Sequence, residues 1–505
     1  MAVGPIEELE KTFLQYVKKI KTYEEALALI YWDLRTGAPK KGVEQRAEVI
    51  GVLSGEVFAM QTSKEMGELI ERLMPYKGNL SEVTAKTLEE CKKQYERSKK
   101  IPPADYEAYT VLVSKAESVW EEAKAKADFN LFRPYLEQIV GYKKKFVQYW
   151  GYDGNPYNTL LDLYEPGITV DVLDKVFQQV KEAIVPLVHK INASKEKPRT
   201  DFLFKTFPKE KQKAFTLKIL EQMGFDFNAG RLDETVHPFA TCINQGDVRI
   251  TTRYDEKDWR VDVFGVMHEG GHALYEQHIS KGLSGTPLAE GASMGIHESQ
   301  SLFYENIIGR SYAFWKKNYA LLKQYASGQF DDVPLGEFYR AVNEAKPSLI
   351  RIEADMLTYS LHIMVRYEIE KALFNDEISV KDLPVIWNEK YGEYLGVRPQ
   401  NDGEGVLQDV HWAGGDFGYF PSYALGMMYA AQFKQAMLKD LPDFDGLVAK
   451  GDLQPIREWL TEHVHRFGKM KKPAEILRDA TGEELNAQYL IDYLTEKFTD
   501  VYRLQ

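Results

Sequence analysis

Two histidines four positions apart, in the run Val266-Met267-His268-Glu269-Gly270-Gly271-His272-Ala273-Leu274-Tyr275, constrain this chain more than any other stretch. The flanking apolar residues recur at helical spacing, so His268 and His272 fall one turn apart on one face. Two imidazoles so placed can share one Zn²⁺ at a little over ~2 Å, leaving Glu269 beside the metal to handle a water. Histidine is scarce, 10 in 505 residues, and composition alone yields on the order of 0.02 such HExxH patterns. Asp258 can cap the helix, which then runs through Val263, Phe264 and Val266 to Leu274. Gly270 and Gly271 inside it cost roughly 1 kcal/mol each relative to alanine. Close approach of another backbone or a ligand would account for them. A buried helix with two satisfied histidines is the plainer alternative, and it gives no reason to keep both glycines.

Apolar residues make up 44% of the chain and charged residues 28%, ordinary usage for a globular protein with ample core material. The net charge of -12 argues against a nucleic-acid surface, which would be basic. Cys91 and Cys242 are the only cysteines, which excludes a disulfide framework and a Cys-ligated zinc site. The start, Met1 to Glu8, has neither a basic nor an apolar signal region, and no stretch approaches the ~18 apolar residues of a membrane span. These features predict a cytoplasmic protein that does not enter the membrane.

Residues 6 to 150 read as consecutive helices, broken at Gly37-Ala38-Pro39-Lys40, at Pro75 to Asn79 before Ser81, and at Ile101-Pro102-Pro103. Residues 151 to 167 read as irregular and 171 to 191 as helix. The texture then changes. Thr235 to Cys242 and Asp247 to Tyr254 are rich in β-branched residues and separated by Asn244-Gln245-Gly246, which predicts a hairpin or small sheet just before the HExxH helix. Lys281 to Pro287 reads as loop, after which helical patterning dominates. With no repeat and no interdomain linker, residues 1–505 are expected to form one large helical body with a cleft.

A catalytic zinc site needs a third protein ligand and an open position. Glu298, in His297-Glu298-Ser299-Gln300, lies 26 residues beyond His272, enough for a turn and a returning helix. His297 competes as ligand, but adjacent helical residues point about 100° apart, so both cannot easily face one metal. Two further clusters stand out: Ile350 to Asp355, on an expected helix start after Pro347, and the Gly- and aromatic-rich run from Gly405 to Tyr423. In the first, Arg351 could simply pair with Asp355; in the second, His411 could be a buried structural donor.

Five short motifs occur in order: DxRxT at Asp247–Thr251, HExxH at His268–His272, HES/TQ at His297–Gln300, IRxxAD at Ile350–Asp355 and GxxQDxHW at Gly405–Trp412. With them the sequence resembles the thermostable carboxypeptidase (carboxypeptidase Taq) family of HExxH zinc metallopeptidases. That resemblance implies a mostly α fold with a deep central cleft and a small sheet beside the HExxH helix, similar to neurolysin and angiotensin-converting enzyme. It also implies a homodimer and broad-specificity removal of C-terminal residues from peptides.

On this reading His268, His272 and Glu298 hold one Zn²⁺ per chain, or Co²⁺ in its place, and Glu269 passes the proton from water to the leaving amine. By similarity to the related clefts, His411 and Tyr423 are candidates to stabilise the oxyanion. The free terminal carboxylate calls for arginine, whose planar fork binds it bidentately. Arg351 is the first choice, followed by Arg249 and Arg253. Asp247, Gln300, Asp355 and Asp409 are expected to orient the residues at the metal. An oligoendopeptidase of the same architecture is the nearest rival, and a helical scaffold with structural zinc is a rival of another class.

Overall fold

The chain begins as a stack of amphipathic helices, and the breaks fall where proline, glycine and serine place them. The structure, a computed structural model, describes residues 3–504. Helices α1 (Val3–Thr36), α2 (Val43–Gln61), α3 (Lys64–Leu73) and α4 (Glu82–Lys100) come first. Ser63 and Ser81 cap α3 and α4, their hydroxyls accepting from the backbone N–H groups of Met66 and Thr84. Phe13, Val17 and Ile20 of α1 meet Ile50, Val57, Met66, Leu69, Leu73 and Leu88 in a small apolar core of their own.

A much larger core is built by the rest of the chain. Into it go α5 (Pro103–Lys126), α6 (Phe129–Trp150), the short α7 (Tyr157–Leu161), α8 (Val170–Ala193) and α9 (Lys209–Met223). The sheet follows, with β1 (Gly230–Glu234), β2 (Ala240–Asn244) and β3 (Asp247–Thr252) in the order β1-β3-β2. Strands β2 and β3 form the expected antiparallel hairpin, while β1 adds a parallel pairing that the sequence pattern did not suggest. The first hairpin strand starts at Ala240, later than Thr235, because Pro238 has no N–H to give to a ladder.

Helix α10 (Arg260–His278) carries the HExxH run, and Asp258 accepts from the Arg260 N–H at its start as expected. Buried Trp259 anchors that start against Trp315 and Phe338. Then come α11 (Met294–Leu302), which runs on as a π-helical turn at Phe303–Ile308, α12 (Tyr312–Tyr325) and α13 (Leu335–Val342). Arg351 does not open a long helix: Arg351–Glu353 is a single 3₁₀ turn, and α14 (Tyr359–Phe374) begins later. Asp355 delays it by accepting from the N–H groups of Leu357 and Thr358. Helices α15 (Leu383–Leu395), α16 (Pro421–Asp440), α17 (Phe444–Lys450), α18 (Gln454–His463), α19 (Pro473–Thr481) and α20 (Gln488–Tyr502) complete a mostly helical fold. Among the described residues no helix is long and apolar enough to cross a membrane.

Candidate active site

Glycines set how closely the site-bearing helices approach. A Cβ on Gly271 of α10 would lie 2.4 Å from the Gln300 carbonyl oxygen and 2.7 Å from the Ser301 Cα, so α11 crosses here backbone to backbone. A Cβ on Gly270 would meet Met223 of α9 at 2.8 Å. On the far side of α11, Gly426 of α16 leaves room for Glu298, whose Cγ would otherwise sit 2.6 Å from a Cβ. The glycine pair inside the HExxH run thus marks a close approach, and the approaching backbone belongs to the helix that carries Glu298.

His268, His272 and Glu298 converge, with one ligand atom from each within 4.8 Å of the others. Glu298 Oε2 lies 3.4 Å from His272 Nε2 and 3.7 Å from His268 Nε2. Tetrahedral ligands about 2.1 Å from one ion stand roughly 3.4 Å apart, so the donor set fits a metal such as Zn²⁺. Burial opposes charge on Glu298, but His268 and His272 beside it hold its carboxyl at about 2. It is therefore ionised, as a ligand must be.

The outward ring nitrogens are both engaged. His268 Nδ1 donates to Glu305 Oε2 at 2.8 Å, and Arg310 holds the other oxygen of Glu305. His272 Nδ1 lies 2.7 Å from His297 Nδ1, and His297 Nε2 lies 2.6 Å from Glu276 Oε1. His297 thus stands behind His272, beside Glu298 in sequence but on another side of the helix. Glu276 and Glu305 were missed in the sequence. Glu276 lies four residues past His272 and Glu305 seven past Glu298, helical spacings that could have flagged both.

The four residues expected to orient the metal site do other work. Asp247 pairs with Arg249, Gln300 accepts from His465 Nε2 at 2.7 Å, Asp355 caps the start of α14, and Asp409 grips Arg351. Arg351 therefore pairs with Asp409, not with Asp355 one turn on, because the 3₁₀ turn breaks the helical spacing.

A cleft of about 1920 Å³ opens over His268, His272 and Glu298, between α1 and α4 on one side and α10, α11 and the 351–360 segment on the other. Glu269, Arg351 and Tyr423 all line it, as does His237. Burial pushes the Glu269 carboxyl up to about 7, a value suited to exchanging a proton near neutrality. His411 Nε2 lies 3.2 Å from the Tyr423 hydroxyl, and burial lowers the imidazole to about 4, which keeps it neutral. The Arg351 guanidinium sits 4.9 Å from the centre of the Tyr423 ring, so these three residues form one cluster. Arg249 and Arg253 stand apart: the fork of Arg249 is closed on Asp247 at 2.8 and 2.7 Å, Arg253 is exposed beyond β3, and neither lines the cleft.

A hydrolytic metal site needs ionisable ligands, a proton-transferring group and room for substrate, and their convergence here is the arrangement of a metal-dependent hydrolase. Comparison with known proteins narrows the class. The family model for Carboxypeptidase Taq (M32) metallopeptidase matches residues 12–498, and the chain belongs to that family. It is 60% identical to Carboxypeptidase 1 of Bacillus subtilis over 499 residues, 99% of this chain and 100% of the relative. Identity to Thermostable carboxypeptidase 1 of Thermus thermophilus is 41%, covering 94% of this chain and 95% of that one. The solved M32 carboxypeptidase from Deinococcus radiodurans R1 superposes with a TM-score of 0.95 at 34% identity, over 98% of this chain and 100% of that chain. The protein is accordingly a metallocarboxypeptidase acting on peptides, with a metal cofactor implied.

Proposed function

We propose that the metal is Zn²⁺, held by His268, His272 and Glu298, and that the enzyme releases C-terminal amino acids from peptides with broad specificity. The observation that carries the ligand assignment is the spacing of the three donor atoms, with both histidines turned so that Nε2 faces Glu298. When bound, such an ion supplies Lewis acidity that brings water into reach of deprotonation near neutral pH. Glu269, buried at the floor of the cleft and poised near neutrality, takes that proton and later delivers it to the leaving amine. The Tyr423 hydroxyl and the His411 imidazole donate to the oxyanion as it develops. Arg351 receives the free terminal carboxylate: Nε donates to Asp409 and Nη1 to Tyr359, which leaves further N–H groups of the fork for a ligand.

Residues 1–505 act, on this reading, as one catalytic domain, in the cytoplasm and as a homodimer; sedimentation of the purified protein tests the last point. The central experiment is mass analysis of one defined peptide over time. A ladder shortening singly from the C-terminus is expected, and amidating the peptide should remove most of the rate. Internal cleavage of the amidated peptide at an undiminished rate would instead favour the oligoendopeptidase reading. Glu269→Gln should abolish turnover while the metal stays bound, and retained turnover refutes the role given to Glu269.

A further inference from the structure

Behind Arg351 lies a second arginine that no peptide can touch. Arg366, on α14, is completely buried, and each of its three guanidinium nitrogens donates a hydrogen bond. Nε donates to Asp409 Oδ2 at 2.7 Å, and Nη2, at ion-pair distance (2.6 Å) from the same oxygen, donates to Gln408 Oε1 at 2.8 Å. Nη1 donates to the His362 carbonyl at 2.7 Å and the Tyr391 hydroxyl at 3.1 Å. Arg351 takes the other oxygen of the same carboxylate, Nε and Nη2 reaching Asp409 Oδ1 at 2.9 and 2.8 Å.

Charge counting gives this arrangement its meaning. Asp409 stays ionised, since burial opposes its charge but Arg366 and Arg351 outweigh it. Among the described residues it is the only carboxylate ion-paired with either guanidinium. Two cations and one anion leave the cluster with one positive charge in excess. An unbalanced buried charge is costly unless a counter-ion is meant to arrive. Were Asp409 paired with Arg351 alone, the pair would be neutral, and repulsion from Asp409 would cancel a substantial part of the pull of Arg351 on an incoming carboxylate.

We propose that Arg366 is a positioning and charge-setting residue for substrate recognition: it offsets Asp409 from behind, so that Arg351, held in place by that carboxylate, keeps a full positive charge for the substrate's free C-terminal carboxylate. The inference rests on reading Arg351 as the receptor of that group. Asp409 then aligns the fork and Arg366 cancels the electrostatic side effect of having it there.

The test uses the metal-loaded full chain with one short peptide as free acid and as C-terminal amide. Arg366→Gln should raise KM for the free acid about tenfold or more, change kcat less than about threefold, and collapse the preference for acid over amide. Arg366→Lys keeps the charge without the five-donor fork and should retain the preference within about threefold. The charge-balanced double variant, Arg366→Gln with Asp409→Asn, should recover it as well, and it carries the test if the single Gln variant melts early. Equal loss in the Gln, Lys and double variants would mean that Arg366 serves packing alone and would overturn the proposal, as would a Gln variant that keeps its preference. Arg351→Gln is the separating arm. If that variant still prefers the free acid, it is the receptor reading that falls.

Discussion

At the scale of single residues, the two metal-facing histidines differ in what stands behind them. His268 leans directly on the Glu305 carboxylate, whereas His272 reaches Glu276 only through the ring of His297. For Nε2 of His272 to bind an ion, Nδ1 must carry the proton, so His297 accepts at Nδ1 and donates from Nε2 to Glu276. A glutamine offers the same acceptor and donor side by side. His297→Gln should therefore keep metal affinity near that of the parent, while His297→Leu and Glu305→Ala should each lower it by roughly 10- to 100-fold, as losses of such supports commonly do. Competition with a chelator, without reference to turnover, reads this. Equal affinities for the Gln and Leu variants would show that His297 only fills space.

A second residue-level prediction concerns pH. Asp262, fully buried on α10, accepts from the Thr252 hydroxyl, and burial raises its carboxyl from 3.8 to about 7. The folded chain thus holds this proton more tightly than the unfolded chain does. The stability it contributes is complete below about pH 4 and is lost as pH rises through 7, a difference on the order of 4 kcal/mol. Asp262→Asn, which cannot ionise, should gain stability relative to the parent between pH 5 and pH 8, read by denaturant unfolding at both. A stability difference that does not change with pH would contradict the assignment.

Between elements, the decisive dimension is the gap separating α10, α11 and α16. Gly271→Ala would place a methyl 2.4 Å from the Gln300 carbonyl, and backbone cannot yield as a flexible side chain can. The expected cost is about 1–3 kcal/mol of stability, with weakened metal binding because α11 carries Glu298. Gly141→Ala in α6, where a Cβ meets nothing within 4 Å, should instead stabilise by roughly 0.5–1 kcal/mol. Thermal melts and metal titration of both variants check the pair. The close approach was legible in the sequence because a glycine pair weakens an otherwise sound helix, a cost that a near-touching backbone offsets. The convergence of His268, His272 and Glu298 was legible too, since helical spacing links the two histidines and the distance to Glu298 suits a returning helix. Arg366 was not: it acts through contacts with residues distant in sequence and looks locally like an ordinary charge on a helix. Strand β1 escaped for a related reason, as Gly-Arg-Leu-Asp-Glu has little intrinsic strand character and is held by parallel pairing to β3.

Across the whole molecule, the small core of α1 to α4 meets the main body along the rim of the cleft through a few polar and ring contacts. Lys21 of α1 and Lys469 of the body both grip Glu290, one on each carboxylate oxygen. Nearby, the Arg35 guanidinium sits 3.8 Å from the centre of the Phe239 ring, and Asn244 donates to Glu25. Burial would raise the Glu290 carboxyl, but Lys469 and Lys21 hold it at about 2, so it is ionised at neutral pH. Glu290→Gln removes the charge that bridges the two lysines: Lys21 keeps its ion pair with Glu24, but the tie from α1 to Lys469 across the seam is lost. Because the helices on the far side keep their own apolar core, the damage should be local and not global. Amide exchange in α1 and α3 is expected to quicken on the order of tenfold, while α10 and α16 keep their protection. Uniform acceleration through both cores would mean that the N-terminal helices and the body unfold as a single unit, and the seam would then carry no independent stability.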